Sequence, residues 1–249
     1  MTIERYSDYD PFAWLYNRHW QGQFHPTALA VMDSIFLPRL PERARILDLC
    51  CGPGWLANTL SERGYEITGI DSSSQLLTYA RENAPGIEFV LEDARSFEID
   101  ARFDGAISVF DSLNHILSTK DLGSAFYHVF HSLRAEGLFF FDLNTEAGFL
   151  QHWRGTYGFV EDDHVCILQQ QFDDNTKIAE IEATLFRLEE GWLRSDFTLR
   201  QKAYTESEVR KALEDVGFQH TETYGFSIAE GVHPLRTEST RAFFLCRKP

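Results

Sequence analysis

The chain is poor in positive charge, in cysteine and in long apolar runs, and each shortage removes a class of protein. Only 23 Lys and Arg stand against 38 Asp and Glu, a formal charge of -15. Phosphate backbones and anionic membranes both need clustered cations, so neither nucleic acid nor a membrane surface is an expected partner. Cysteine is limited to four residues, two of them adjacent at Cys50 and Cys51. That rules against a disulfide framework and points to a reducing compartment. Those cysteines have no paired metal-ligand spacing and the nine His are scattered, so no metal site is expected. No apolar run approaches the ~20 residues of a membrane helix. The opening MTIERYSDYD is polar and acidic, unlike a signal peptide, and a cytoplasmic protein is expected.

What the chain does have is length and α/β periodicity. With 249 residues it can bury roughly three quarters of its unfolded surface in one large domain. Short apolar runs at Arg45 to Leu49, Glu66 to Ile70, Ile87 to Leu91, Phe103 to Val109 and Leu138 to Asp142 alternate with amphipathic helical segments. This pattern predicts a doubly wound, mostly parallel sheet with helices on both faces. After Gly148 three runs of period-two alternation follow, joined by Asp173-Asp174-Asn175-Thr176 and Glu189-Glu190-Gly191. In the last, Leu193, Phe197 and Leu199 share a face with Ser195 and Gln201, which predicts a small antiparallel sheet with one wet face. The expected organisation is therefore a main domain over 1–148 and 205–249, with 1–40 as a helical cover and 149–204 as an inserted β lobe. Thr205, Glu208 and Gly217 supply the capping box and stop of a helix. A final strand from Arg241 to Cys246 is expected to close the sheet.

The segment ILDLCCGPGWLANTL carries the first ligand signal. Gly52 and Gly54 allow close backbone approach, and the helix that follows offers free N–H groups and a positive dipole end. Asp71, with Ser72 beside it, ends the second strand where a carboxylate can accept from a ribose diol, although it could also cap the next helix. An adenosine-type ligand follows from the two together. The run Gly52 to Ala57 also satisfies G-x-G-x-x-G/A, so a nicotinamide-linked oxidoreductase is an alternative. Three features oppose a dinucleotide: the carboxylate of Asp48 beside the turn, the N–H that Pro53 lacks, and a third acid in Glu92-Asp93-Ala94. An acid beside the loop repels phosphate and suits an amino-bearing ligand.

Asp48-Leu49-Cys50-Cys51-Gly52-Pro53-Gly54, taken with Asp71 and Asp93-Ala94, resembles the seven-stranded class I S-adenosylmethionine-dependent methyltransferases. The resemblance covers most of the chain. Family members usually have Gly where Cys50 stands, a position Cys fits if its φ is negative. What the resemblance implies is S-adenosylmethionine as cofactor and S-adenosylhomocysteine as product. The Cys50, Gly52 and Gly54 loop would pass under the methionine part, Asp48 would attract its ammonium, and Asp71 and Ser72 would serve the ribose. Asp93 would accept from the adenine amino group, with Ala94 offering a backbone N–H. Phe110 would pack near the cofactor, and Tyr16 and Trp20, on one face of an N-terminal helix, would cover it.

Transfer to a nitrogen or oxygen of a small molecule is the expected reaction. The spacing of Phe110 to Ile116 resembles the small-molecule N-methyltransferase branch. His115 is the candidate base or orienting group, since its ordinary pKa lies near neutrality. Asn114 and Asn144 are candidate substrate contacts, with His152, Trp153 and Tyr204 as further lining. Glycine-type members have Arg where Leu143 stands, so glycine itself is not the expected acceptor. A catalytically silent fold member is the remaining alternative, motivated by Cys50.

Overall fold

The computed structural model describes residues 7–20, 25–100 and 102–249. Residues 1–6 and 21–24 of the expected N-terminal cover lie outside the described ones. The rest of that cover comprises α1 (Ala13–His19) and α2 (His25–Ile35).

The central strand β1 (Arg45–Leu49) is buried throughout except at Arg45. It pairs in parallel with β2 (Glu66–Asp71) on one side and β4 (Phe103–Ser108) on the other. Beyond these lie β3 (Glu88–Leu91), parallel to β2, and β5 (Leu133–Asn144), parallel to β4. The chain order reverses between β1 and β4, and clefts for ligands open at the carboxyl ends of strands at such a point. Helices α3 (Trp55–Glu62), α4 (Ser74–Asn83) and α5 (Thr119–Ser132) connect these strands.

Three consecutive phenylalanines explain how β5 divides the core. Phe139 and Phe141 face one layer with Phe126 and Phe244, while Phe140 faces the other with Phe36 and Phe243. A strand covered on both sides needs apolar residues at every position, not alternate ones. The sheet has eight strands where seven were expected: β12 (Arg241–Arg247) runs antiparallel to β5, and β10 (Gln219–Ser227) and β11 (Gly231–Pro234) continue outward. The last strand is thus interior and β11 forms the edge. Its partner β10 is half-exposed and polar, and so lacks the apolar signal of β1 or β4.

The second sheet has the order β6-β7-β8-β9, with β6 (Gly155–Val160), β7 (His164–Asp173), β8 (Ile178–Leu188) and β9 (Trp192–Lys202) all antiparallel. Four strands replace the three expected runs, because β6 is an exposed edge interrupted by Gly158. It is joined to β5 through α6 (Glu146–His152). Its inner face, with Cys166, Leu168, Ala183, Leu185 and Leu199, packs on Phe12 and Leu15 of the cover. Helix α7 (Glu206–Val216) returns the chain to the main sheet, with the capping box of Thr205 and Glu208 formed and Gly217 ending it at φ 113°.

Candidate active site

The loop after β1 is shaped by three left-handed residues, Cys50 (φ 60°), Gly52 (φ 55°) and Gly54 (φ 78°). Cys50 therefore does not meet the condition of a negative φ and occupies the conformation that glycine adopts without cost. At Gly54 a Cβ would come within 3.1 Å of Ala80 and the Phe89 ring. Asp71 binds this loop to the next one: Oδ2 accepts from Gly52 N (2.9 Å) and Oδ1 from Ser73 N (2.8 Å). The N-cap of α4 is Ser73 itself, so Asp71 is not needed as the cap.

Both acids of this corner are buried and raised. Burial lifts the Asp71 carboxyl to about 6 against the pull of its two N–H donors. At Asp48, burial and the neighbouring Asp71 together push it up to about 8. Asp48 is 2 % exposed, and its Oδ2 has no hydrogen-bond partner among the described residues. A buried acid in this state is drawn to its ionised form by a ligand bearing an ammonium. Asp93 is gripped by Arg95 through Nε (2.9 Å) and Nη2 (2.5 Å).

Three cavities meet here. One of about 510 Å³ is bordered by Cys50, Asp71, Ser72, Asp93 and Ala94, with Tyr9 at its rim. A narrow recess of about 30 Å³ lies among Asp48, Cys50, Gly52, Trp55 and Phe110. The third, of about 310 Å³, lies under the β lobe among Trp20, His115, Asn144, Trp153, Gln201 and Arg241. Tyr9 and His115 border both the first and the third, and Tyr16 and Phe110 both the recess and the third. Tyr16 is stacked between Trp20 and Trp55, at 6.1 and 5.8 Å. Of the three cavities Trp20 borders only the third, and it reaches the recess through Tyr16, on which it is stacked.

His115 is tied to its neighbours in one tautomer. Gln201 Nε2 lies 2.5 Å from Asp111 Oδ2 and 3.0 Å from His115 Nε2, and spends one N–H on each. The imidazole Nε2 is thus an acceptor, and it also takes the Tyr9 hydroxyl at 2.8 Å. Burial lowers the His115 pKa despite the nearby Asp111, and burial raises that of Tyr9. The pair is a neutral imidazole and a protonated phenol.

Asn114 requires a correction. It is fully buried, bonding Asn144 N and O and Lys202 O, and borders none of the three cavities. Its amide staples the turn at Ser112–His115 to the ends of β5 and β9, while Asn144 does border the third cavity. His152 and Trp153 border it too, whereas Tyr204 instead bonds Ile116 O.

Sequence reasoning did not find Arg241 and Asp111. Phe110 (φ 65°) and Asp111 (φ 51°) form a strained turn whose two N–H groups both donate to Asp142, at 2.8 and 3.1 Å. Arg241 bridges the acids, donating to Asp142 and, at 2.7 Å, to Asp111. Burial works against its charge, but the two carboxylates outweigh that and hold it ionised. Leu143, by contrast, is buried in the core. An arginine opening the apolar strand RAFFLC, and a glutamine on the apolar face of β9, were the signals available.

Fold and site define a doubly wound α/β protein with a cavity of about 510 Å³ beside the loop after β1 and a separate one of about 310 Å³ under the β lobe. A methyltransferase domain model matches residues 46–137. YqeM of Bacillus subtilis (strain 168), a protein named as a methyltransferase, is 31% identical over 216 residues, covering 84% of this chain and 86% of that one. The glycine/sarcosine N-methyltransferase of Halorhodospira halochloris is 26% identical over 202 residues, covering 77% and 72%. An S-adenosylmethionine-dependent methyltransferase from Clostridium acetobutylicum ATCC 824 superposes with a TM-score of 0.76 at 20% identity, over 97% of this chain and 99% of that one. The chain belongs to the class I S-adenosylmethionine-dependent methyltransferases.

Proposed function

We propose that the enzyme methylates a nitrogen or oxygen atom of a small-molecule acceptor seated in the 310 Å³ cavity. The observation that carries this reading is the junction of the three cavities at Tyr9, Tyr16, Phe110 and His115. In this reading Asp71 and Ser72 hold the ribose, Asp93 and Ala94 the adenine, and Asp48, Cys50, Gly52 and Gly54 the methionine part. S-adenosylmethionine, when bound, supplies a methyl carbon already activated by its sulfonium charge.

The chain's own work is then alignment and exclusion of water, which can contribute up to ~7–11 kcal/mol. Phe110 and Tyr16 wall the passage between recess and acceptor cavity, and the β lobe and α1 form the roof. The lone pair of His115 Nε2, shared by Tyr9 and Gln201, orients the acceptor's polar hydrogen through the Tyr9 hydroxyl and can take up a proton. Support for nitrogen comes from the relative named as an N-methyltransferase. The enzyme incubated with S-adenosylmethionine and a panel of small amines and alcohols should form S-adenosylhomocysteine in an acceptor-dependent way, and the Tyr9→Phe variant should do so more slowly. Binding of the cofactor without turnover on any acceptor would contradict the reading.

A further inference from the structure

Arg241 lies opposite Asn144 across the β12–β5 pair and is the sole Lys or Arg among the described residues bordering the acceptor cavity. A lone, partly buried arginine in such a place would ordinarily recognise an anion. Here it is already committed. Asp142, fully buried, and Asp111, with a side chain 19% exposed, both pair with it, and Gln201 Nε2 completes Asp111 at 2.5 Å. Two acids share one guanidinium at this end of the cavity, so it holds no surplus positive charge for an incoming anion.

We propose that the acceptor is an amine with no carboxylate or phosphate next to its nitrogen, and that Asp111 sets this choice by occupying Arg241. The proposal rests on the methyltransferase reading above and narrows it to one acceptor class. An acceptor carboxylate entering the cavity would meet the carboxylate of Asp111 and a guanidinium whose partners it would have to displace. A nitrogen nucleophile suits the same carboxylate. Its lone pair makes the new N–C bond as the C–S bond breaks with its pair on sulfur, and the nitrogen becomes an ammonium that later loses a proton to solvent. The positive charge arriving in the cavity is met by Asp111, which borders it. A hydroxyl must instead develop negative charge on oxygen before or during attack, beside carboxylates that oppose it. Specificity of this kind arises from the group that repels as much as from the one that attracts.

Sarcosine and N-methylethanolamine test this, since they differ in a carboxylate against a CH2OH group. In the wild-type enzyme, kcat/KM from S-adenosylhomocysteine release should favour N-methylethanolamine by at least about tenfold. In the S-adenosylhomocysteine complex, the amino alcohol should raise the melting temperature more than sarcosine does. Asp111→Asn keeps the shape, and Asn tolerates the left-handed backbone. Freed of one partner, Arg241 should then accept the carboxylate, and the preference should fall at least about tenfold or reverse. Equal or better use or binding of sarcosine by the wild-type enzyme overturns the proposal, as does an unchanged preference in Asp111→Asn. Failure of the methyltransferase reading would show differently, as no effect of S-adenosylhomocysteine on melting.

Discussion

Asp48 offers a test in which magnitude follows from burial and one neighbouring acid. In the folded chain its carboxyl is raised to about 8 by burial and by Asp71, whereas unfolding returns it to the ordinary range near ~4. The folded form therefore keeps a proton that the unfolded chain releases, and stability from this source is present at low pH and lost as pH rises toward 8. Integrated between pH 5 and pH 7, Asp48 alone should cost about 2.6 kcal/mol, a value that moves only by a few tenths if the folded pKa is one unit lower or higher. For a domain of this size that is roughly 5–10 °C in melting temperature. Asp48→Asn preserves shape and removes the titration. Asp71, raised to about 6, titrates in both proteins, so the comparison is between slopes, not absolute stabilities. Urea unfolding of ligand-stripped protein at the two pH values should show the variant's loss of stability with pH to be smaller by that amount. A ligand ammonium beside Asp48 would draw it back to the ionised form, so S-adenosylhomocysteine should bind wild type more tightly as pH rises toward 8 and bind Asp48→Asn without that dependence. An equal pH slope of stability in the two proteins would refute the argument.

Other substitutions test separate parts of the account. Cys50→Gly removes a left-handed cost of ~1–2 kcal/mol and adds ~0.5–1 kcal/mol of chain entropy, so melting should be unchanged or raised by a few degrees. A clear drop in a thermal scan would show that the thiol's packing outweighs its backbone strain. Gly54→Ala places a methyl 3.1 Å from Ala80 and Phe89 at φ 78°, and should destabilise the fold by more than about 1 kcal/mol. Thr205→Ala breaks the capping box of α7 and should cost about 1 kcal/mol by urea unfolding, with S-adenosylhomocysteine affinity unchanged.

The parts of this structure legible in the sequence are those where one local pattern decides the outcome. RILDL and FDGAIS are buried at nearly every position, so strands β1 and β4 stand out. Thr205 and Gly217 mark the ends of α7 because cap chemistry is local. Strands β6, β10 and β11 escape because edge and half-exposed strands impose no apolar pattern, and β6 carries two glycines in GTYGFV. The same division holds in the site. Asp48, Gly52, Gly54 and Asp71 stand out because glycine and aspartate at the ends of parallel strands form a local pattern, and the fold gathers them at one corner. Asp111 and Arg241 meet across 130 residues of chain, and no spacing rule connects them. Asn114 misled for a related reason: beside a histidine in a turn it reads as a ligand contact, and only the tertiary fold supplies the three backbone groups that consume it. The left-handed φ of Cys50 is likewise set by the loop and not by the residue.

The central claim, that the Gly52 and Asp71 corner binds the methyl donor and its product, is tested most directly by calorimetric titration of S-adenosylhomocysteine into wild type and Asp71→Ala. The account predicts saturable one-to-one binding to the wild-type protein, and affinity at least about tenfold weaker in the variant, where a buried acid that serves two backbone N–H groups and faces the large cavity is gone. No binding by the wild-type protein, or equal binding by both in the folded state, would contradict it.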